Sequence, residues 1–180
     1  MGVVEATRRT VGVDEYNSYL PFDGRGDLKA VVAAHFERRS GTAVDSSQIT
    51  ISGGDGNGLN NALNATTEVG DEVIVTDPTY AGTINRVCLV GASPRVVPLH
   101  VANGAWRTDP DRLRSAVTSK TRAVFLMNPA FPHGARLSGE EWRAVADVGA
   151  FHLHAEEAGD GSPALVFLHY WGDLLVLGPS

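Results

Sequence analysis

The apolar residues of this sequence change period repeatedly, from short unbroken runs to the i, i+3, i+4 spacing of a helix and back, and no other feature narrows the fold as much. Glu72-Val-Ile-Val-Thr76 and Ala123-Val-Phe-Leu-Met127 read as buried strands, Arg95 to Leu99 as a strand, and Ile49-Thr-Ile-Ser52 as a short one. Between them the helical period recurs. A helix is expected over 27–39, with Leu28, Val31, Val32 and Phe36 on one face and Asp27 as its cap. Further helices are expected through Leu59, Ala62 and Leu63, from Tyr80 to about Val90, and from Asp109-Pro110 onward. Ser138-Gly-Glu-Glu141 is a capping box that opens another, with Trp142 and Val145 inward. Strands that are apolar throughout, alternating with amphipathic helices, predict an α/β fold with a mainly parallel sheet and helices on both faces.

A length of 180 residues bounds the chain to about one ordinary domain. The net charge of −6 excludes a basic nucleic-acid face and gives no attraction to anionic lipid. Cys88 stands alone, which excludes an internal disulfide framework or a cysteine metal cluster and fits a reducing cytoplasm. The charged start Glu5-Ala-Thr-Arg-Arg9 does not suit a signal peptide. The longest apolar stretch, Pro163 to Leu177, is broken by His169, Gly172 and Asp173 and falls short of the ~20 residues that span a bilayer. The last thirty residues differ in texture: Phe151 to Pro163 reads as a strand and a glycine-rich turn, followed by a strand at Ala164 to Leu168.

Three strand ends carry residues suited to chemistry. Gly53-Gly-Asp-Gly-Asn-Gly58 turns into a helix, and free N–H groups at a helix start bind phosphate. The alternative is an ordinary connection capped by Asp55 or Asn57. No Lys-Ser or Lys-Thr follows, as a Walker loop requires, and the glycines miss the dinucleotide spacing. Asp77-Pro-Thr-Tyr80 places an aromatic ring where open α/β sheets bind ligands; the ring either stacks on a flat heterocycle or fills space at a turn. Asn128-Pro-Ala-Phe-Pro-His-Gly134 is either a ligand-binding loop or a rigid turn.

Taken in order, these motifs resemble the pyridoxal-phosphate-dependent aminotransferases of fold type I, classes I and II. Tyr19-Leu-Pro-Phe-Asp-Gly24 is similar to that family's "Y-L-P-x-x-G" segment, and Ile51 to Leu59 to its phosphate cup. Gly70 to Tyr80 resembles "G-D-E-V…D-P-x-Y", and Asn128 to Gly134 resembles "N-P-x-N-P-T-G". The resemblance implies a partial large domain over 1–149 with a divergent tail over 150–180, and transamination between an amino acid and a 2-oxo acid. It implies pyridoxal 5′-phosphate as cofactor, with Asp55 and Gly56 offering backbone amides to its phosphate and Tyr80 stacking on its ring. It also implies a homodimer in the cytoplasm, in which Tyr19 reaches the phosphate of the neighbouring subunit's cofactor. Phe131 stands where the family places the asparagine that bonds the ring hydroxyl, and Asn128 is the candidate to replace it.

The family's cofactor-anchoring lysine, its acidic partner for the ring nitrogen and its carboxylate-binding arginine all follow the segment of resemblance, so a fragment inactive on its own is expected. The sequence has two lysines, Lys29 and Lys120, and both read as solvated surface residues. Residues 155–172 resemble the opening of an α/β-hydrolase, though no G-x-S-x-G elbow is present. A non-catalytic module for a phosphate ligand and a non-functional product of a disrupted gene are the other readings. His152 and His154 share one face of the expected strand and read as half-exposed residues, not metal ligands. Glu140 and Glu141 read as charge placed at a helix start.

Overall fold

The periodic pattern resolves, in a computed structural model, into a parallel sheet with helices on both faces. The structure describes residues 2–41, 43–156, 165–168 and 174–177. The chain divides into two units, Met1–Ser52 and Gly53–Ser180.

The first unit holds α1 (Val3–Thr10) and α2 (Gly26–Ser40), with a single 3-10 turn at Asp14–Asn17 and another at Ser46–Gln48. Helix α2 starts one residue earlier than the pattern suggests, and Asp27 does not cap it. Its carboxylate instead accepts the Leu28 N–H and pairs with Arg25, which holds its pKa at about 2. Nor do Leu28 and Val31 form a buried face: both are exposed. The buried side chain of the first turns is Lys29, 7% exposed, whose ammonium pairs with Asp23. Lys29 is therefore not a solvated surface residue, because a partnered charge tolerates burial. Residues 49–52 are not a strand; the Ile51 N–H donates to the Asp23 carbonyl, and among the described residues no strand pairs with them.

In the second unit, β1 (Glu72–Asp77) lies between β2 (Ser93–Pro98) and β5 (Thr121–Phe125), parallel to both. Alternate residues of β1 face opposite sides. Val73 and Val75 pack with Leu59 and Leu63 of α3 (Asp55–Thr66) and Val87 of α4 (Ala81–Leu89). Ile74 packs with Leu113 of α5 (Pro110–Ser115) and with Ala144, Val145 and Val148 of α6 (Gly139–Glu156). Asp109 caps α5 through the N–H groups of Asp111 and Arg112, with Pro110 at the first helical position, as the sequence pattern suggests. Between β2 and α5 lies a hairpin the apolar pattern does not reveal, β3 (His100–Ala102) and β4 (Ala105–Arg107), turning on Asn103 and Gly104 at φ 51° and 72°.

Residues 151–156 continue α6 and are not a strand, so the strand face shared by His152 and His154 does not form. A capped helix persists until something stops it, and four alternating residues do not. Beyond it, β6 (Leu165–Leu168) pairs antiparallel with β7 (Leu174–Leu177). The glycine-rich turn at 157–164 lies outside the described residues. Among the described residues, no helix is long and apolar enough to cross a membrane.

Candidate functional site

Helix α3 begins on Gly54, whose φ of 98° lies in the region that only glycine adopts at little cost. No side chain caps this helix, so the ordinary connection capped by Asp55 or Asn57 is not what forms. The first helical hydrogen bond runs from the Gly58 N–H to the Gly54 carbonyl at 3.0 Å. The N–H groups of Asp55, Gly56 and Asn57 therefore have no carbonyl within the helix to receive them, and they stand at the positive end of its dipole. The Asp55 side chain is exposed.

Tyr80 sits just past the carboxyl end of β1 and directly before α4. Its ring lies against Gly82, where a Cβ would strike it, and meets the Phe131 ring edge-on at 5.8 Å and 73°. Both residues remain about 45% exposed. Arg86 links this tyrosine to the α3 turn. Its Nε donates to the Gly56 carbonyl at 2.6 Å and its Nη1 to the Gly82 carbonyl at 2.8 Å. A Cβ at Gly56 would overlap the guanidinium. The sequence carries no sign of this contact, which joins positions thirty residues apart.

The loop after β5 turns part of its polar complement inward, while His133 Nε2 is buried without a partner among the described residues. Asn128 Oδ1 accepts the Leu137 N–H at 3.0 Å, and His133 Nδ1 accepts the Ala135 N–H at 3.3 Å. Backbone bonds between Ala130 and both Gly134 and Ala135 close the loop. Beneath it is a small cavity lined by Trp106, Thr108, Leu126, His133 and Glu141. His133 stacks obliquely on Trp106 at 5.6 Å.

The capping box at Ser138 forms in both directions: Ser138 N–H donates to Glu141 at 2.6 Å, and Glu141 N–H to Ser138 Oγ at 3.2 Å. Sequence reasoning missed the second duty of Glu141. Its other carboxylate oxygen accepts the Thr108 N–H at 2.5 Å, which ties α6 to the end of the hairpin. Burial pushes its pKa up, but the Ser138 and Thr108 donors and the Arg107 charge outweigh that and leave it below the ordinary value.

Of the residues singled out from the sequence, Gly56 and Tyr80 come together through Arg86 and Gly82, Asp55 precedes Gly56 in the first turn of α3, and Asn128 roots the loop that brings Phe131 to Tyr80. Tyr19 belongs to the first unit and is fully exposed there. Lys120 is exposed and stands at the other edge of the sheet, where its carbonyl accepts the Glu72 N–H at 2.8 Å. That is roughly 16 Å along the strand from the end that carries Tyr80.

The family model for aminotransferase class I and II matches residues 2–154. An aspartate aminotransferase of Rhizobium meliloti is 31% identical over 136 residues, covering 76% of this chain and 33% of that protein. A probable aspartate/prephenate aminotransferase of Thermus aquaticus is 32% identical over 150 residues, 83% of this chain and 39% of its own length. Among solved structures, N-succinyldiaminopimelate aminotransferase from Mycobacterium tuberculosis superimposes with a TM-score of 0.79 at 28% identity, covering 92% of this chain and 40% of that one. The chain thus spans about a third of the length of the first curated relatives it matches. The hydrolase-like reading of 155–172 is not borne out: these relatives and structures are aminotransferases.

Proposed function

We propose, from the premise that this chain belongs to the aminotransferase class I and II family, that it carries the phosphate- and ring-holding part of a pyridoxal 5′-phosphate site serving transamination between an amino acid and a 2-oxo acid. The observation that carries this is the set of N–H groups of Asp55, Gly56 and Asn57, unused by α3, beside a half-open tyrosine ring. The residues present fit both ends of the cofactor. Gly54 lets the backbone turn under a phosphate, and Gly82 leaves the room that the Tyr80 ring occupies against the chain.

When bound, the cofactor supplies an electron sink for bond cleavage at the amino acid's α-carbon. The chain's own residues bind and orient. The amides of Asp55 and Gly56 hold the phosphate, while the exposed Asp55 carboxylate points to solvent and avoids repelling it. Tyr80 covers the ring. Asn128 still has its amide N–H donors for the ring hydroxyl, since its bond to Leu137 uses the oxygen. Tyr19 reaches the phosphate of a neighbouring subunit in a homodimer. Residues 1–149 are part of the large domain, 150–180 are a divergent tail, and the setting is the cytoplasm.

Neither lysine is suited to anchor this cofactor covalently: Lys29 is ion-paired with Asp23, and Lys120 is at the far edge of the sheet. The 180 residues alone therefore bind the cofactor without completing turnover. Adding pyridoxine 5′-phosphate, an alcohol that cannot condense with lysine, to the 15N-labelled chain tests the site. Shifts are expected at the amides of 53–58 and 80–83; shifts confined to other residues would contradict it.

A further inference from the structure

We infer that Arg86 is a positioning residue that fixes the distance between the two halves of the proposed site, the amide turn before α3 and the tyrosine before α4. It has this role only if the pyridoxal-phosphate reading above holds. Arg86 lies in the second turn of α4, six residues after Tyr80, and its guanidinium is a planar fork of N–H donors. One prong takes the Gly56 carbonyl in the first turn of α3, and another takes the Gly82 carbonyl in the first turn of α4. A rigid fork across two helices sets their separation, as a single flexible ammonium cannot.

The same side chain explains two glycines. A Cβ at 56 would overlap the guanidinium, and a Cβ at 82 would run into both the Tyr80 ring and Arg86 Nη1. The ring of Tyr80 thus rests on the very peptide that Arg86 grips. A ligand with its phosphate on the α3 turn and its ring on Tyr80 bridges both halves, so its affinity depends on their spacing. A ligand that fills only one half is indifferent to that spacing. Lysine at 86 keeps the positive charge beside the two helix starts and loses the fork, which separates geometry from charge.

Calorimetric titration of the whole chain with pyridoxine 5′-phosphate, pyridoxine and inorganic phosphate reads this directly. Arg86→Lys is expected to lose about tenfold in affinity for pyridoxine 5′-phosphate, while the two single-group probes stay within about threefold of wild type. Gly82→Ala keeps the guanidinium but presses a methyl against both it and the Tyr80 ring; it is expected to weaken pyridoxine 5′-phosphate and pyridoxine together while inorganic phosphate stays within about threefold, and it serves if Arg86→Lys melts below the assay temperature. Unchanged pyridoxine 5′-phosphate affinity in the folded variant, or an equal loss for inorganic phosphate, overturns the positioning role. A wild-type chain that binds pyridoxine 5′-phosphate no better than pyridoxine overturns the pyridoxal-phosphate reading and Arg86's role with it.

Discussion

The glycine turn before α3 and the proline loop after β5 both carry family-like motifs, yet they use their polar groups in opposite ways. At the turn, the N–H groups of Asp55, Gly56 and Asn57 are left without helical acceptors. In the loop Asn128 and His133, and in the helix start that follows it Ser138 and Glu141, are engaged with neighbouring backbone amides. A motif marks where backbone must be shaped; whether its donors face outward or inward decides between binding and bracing. On the proposed reading, the turn receives an anion. The loop is a clasp whose main product is the position of Phe131 against Tyr80.

The largest effect expected from this contrast is on the clasp. Glu141→Ala leaves the N–H of buried Thr108 and that of Ser138 without their carboxylate acceptor and is expected to cost about 3 kcal/mol, read from the urea midpoint. Pyridoxine 5′-phosphate affinity should stay within about twofold, because no atom of the turn is touched. The opposite result, intact stability with lost binding, would reverse the roles of the two regions. The same carboxylate gives a pH signature. Its pKa in the fold lies below the ordinary 4.5, so its stabilisation is complete above that value and fades as pH falls through the lower folded pKa. Glu141→Ala should lack this acid-side component in a pH series of melting temperatures.

At the turn, Gly54→Val places a branched side chain at φ 98° and is expected to cost about 2 kcal/mol of stability. Here binding falls too, with inorganic phosphate and pyridoxine 5′-phosphate affected alike, because the amides themselves are displaced. A smaller effect is expected where the regions meet. Phe131→Ala removes the edge-on partner of Tyr80, worth about 1 kcal/mol, and should weaken pyridoxine binding a few-fold while sparing inorganic phosphate. Equal losses for the two probes would mean that Phe131 braces the turn as well as the ring.

Much of the second unit can be read in the sequence because its signals are strong and local. The run around Val73 is apolar and buried along almost its whole length, as a central strand covered on both faces must be, the runs around Val96 and Val124 keep enough β-branched residues to be read as its neighbours, and Asp109 and Ser138 announce their helices by side-chain chemistry. Ile49 to Ser52 has the composition of a strand but pairs with no strand among the described residues, and pairing is not a local property. Lys29 looks like a surface residue until Asp23, six positions earlier, neutralises it. The Asn103-Gly104 turn carries recognisable hairpin chemistry, but its flanks, His-Val-Ala and Ala-Trp-Arg, lack the apolar alternation that would draw attention to it. Asp55, Gly56 and Tyr80 are legible through their motifs. Arg86 is not, since its partner Gly56 lies in another helix.

The amide turn as a phosphate site is tested most directly by comparing pyridoxine 5′-phosphate with pyridoxine on the wild-type chain and on Gly54→Val by calorimetry. The phosphate ester should bind at least about tenfold more tightly to wild type, a margin of about 1.4 kcal/mol, and that margin should vanish in Gly54→Val. Equal affinity for the two ligands in wild type, or a margin that survives in a folded Gly54→Val chain, would contradict it.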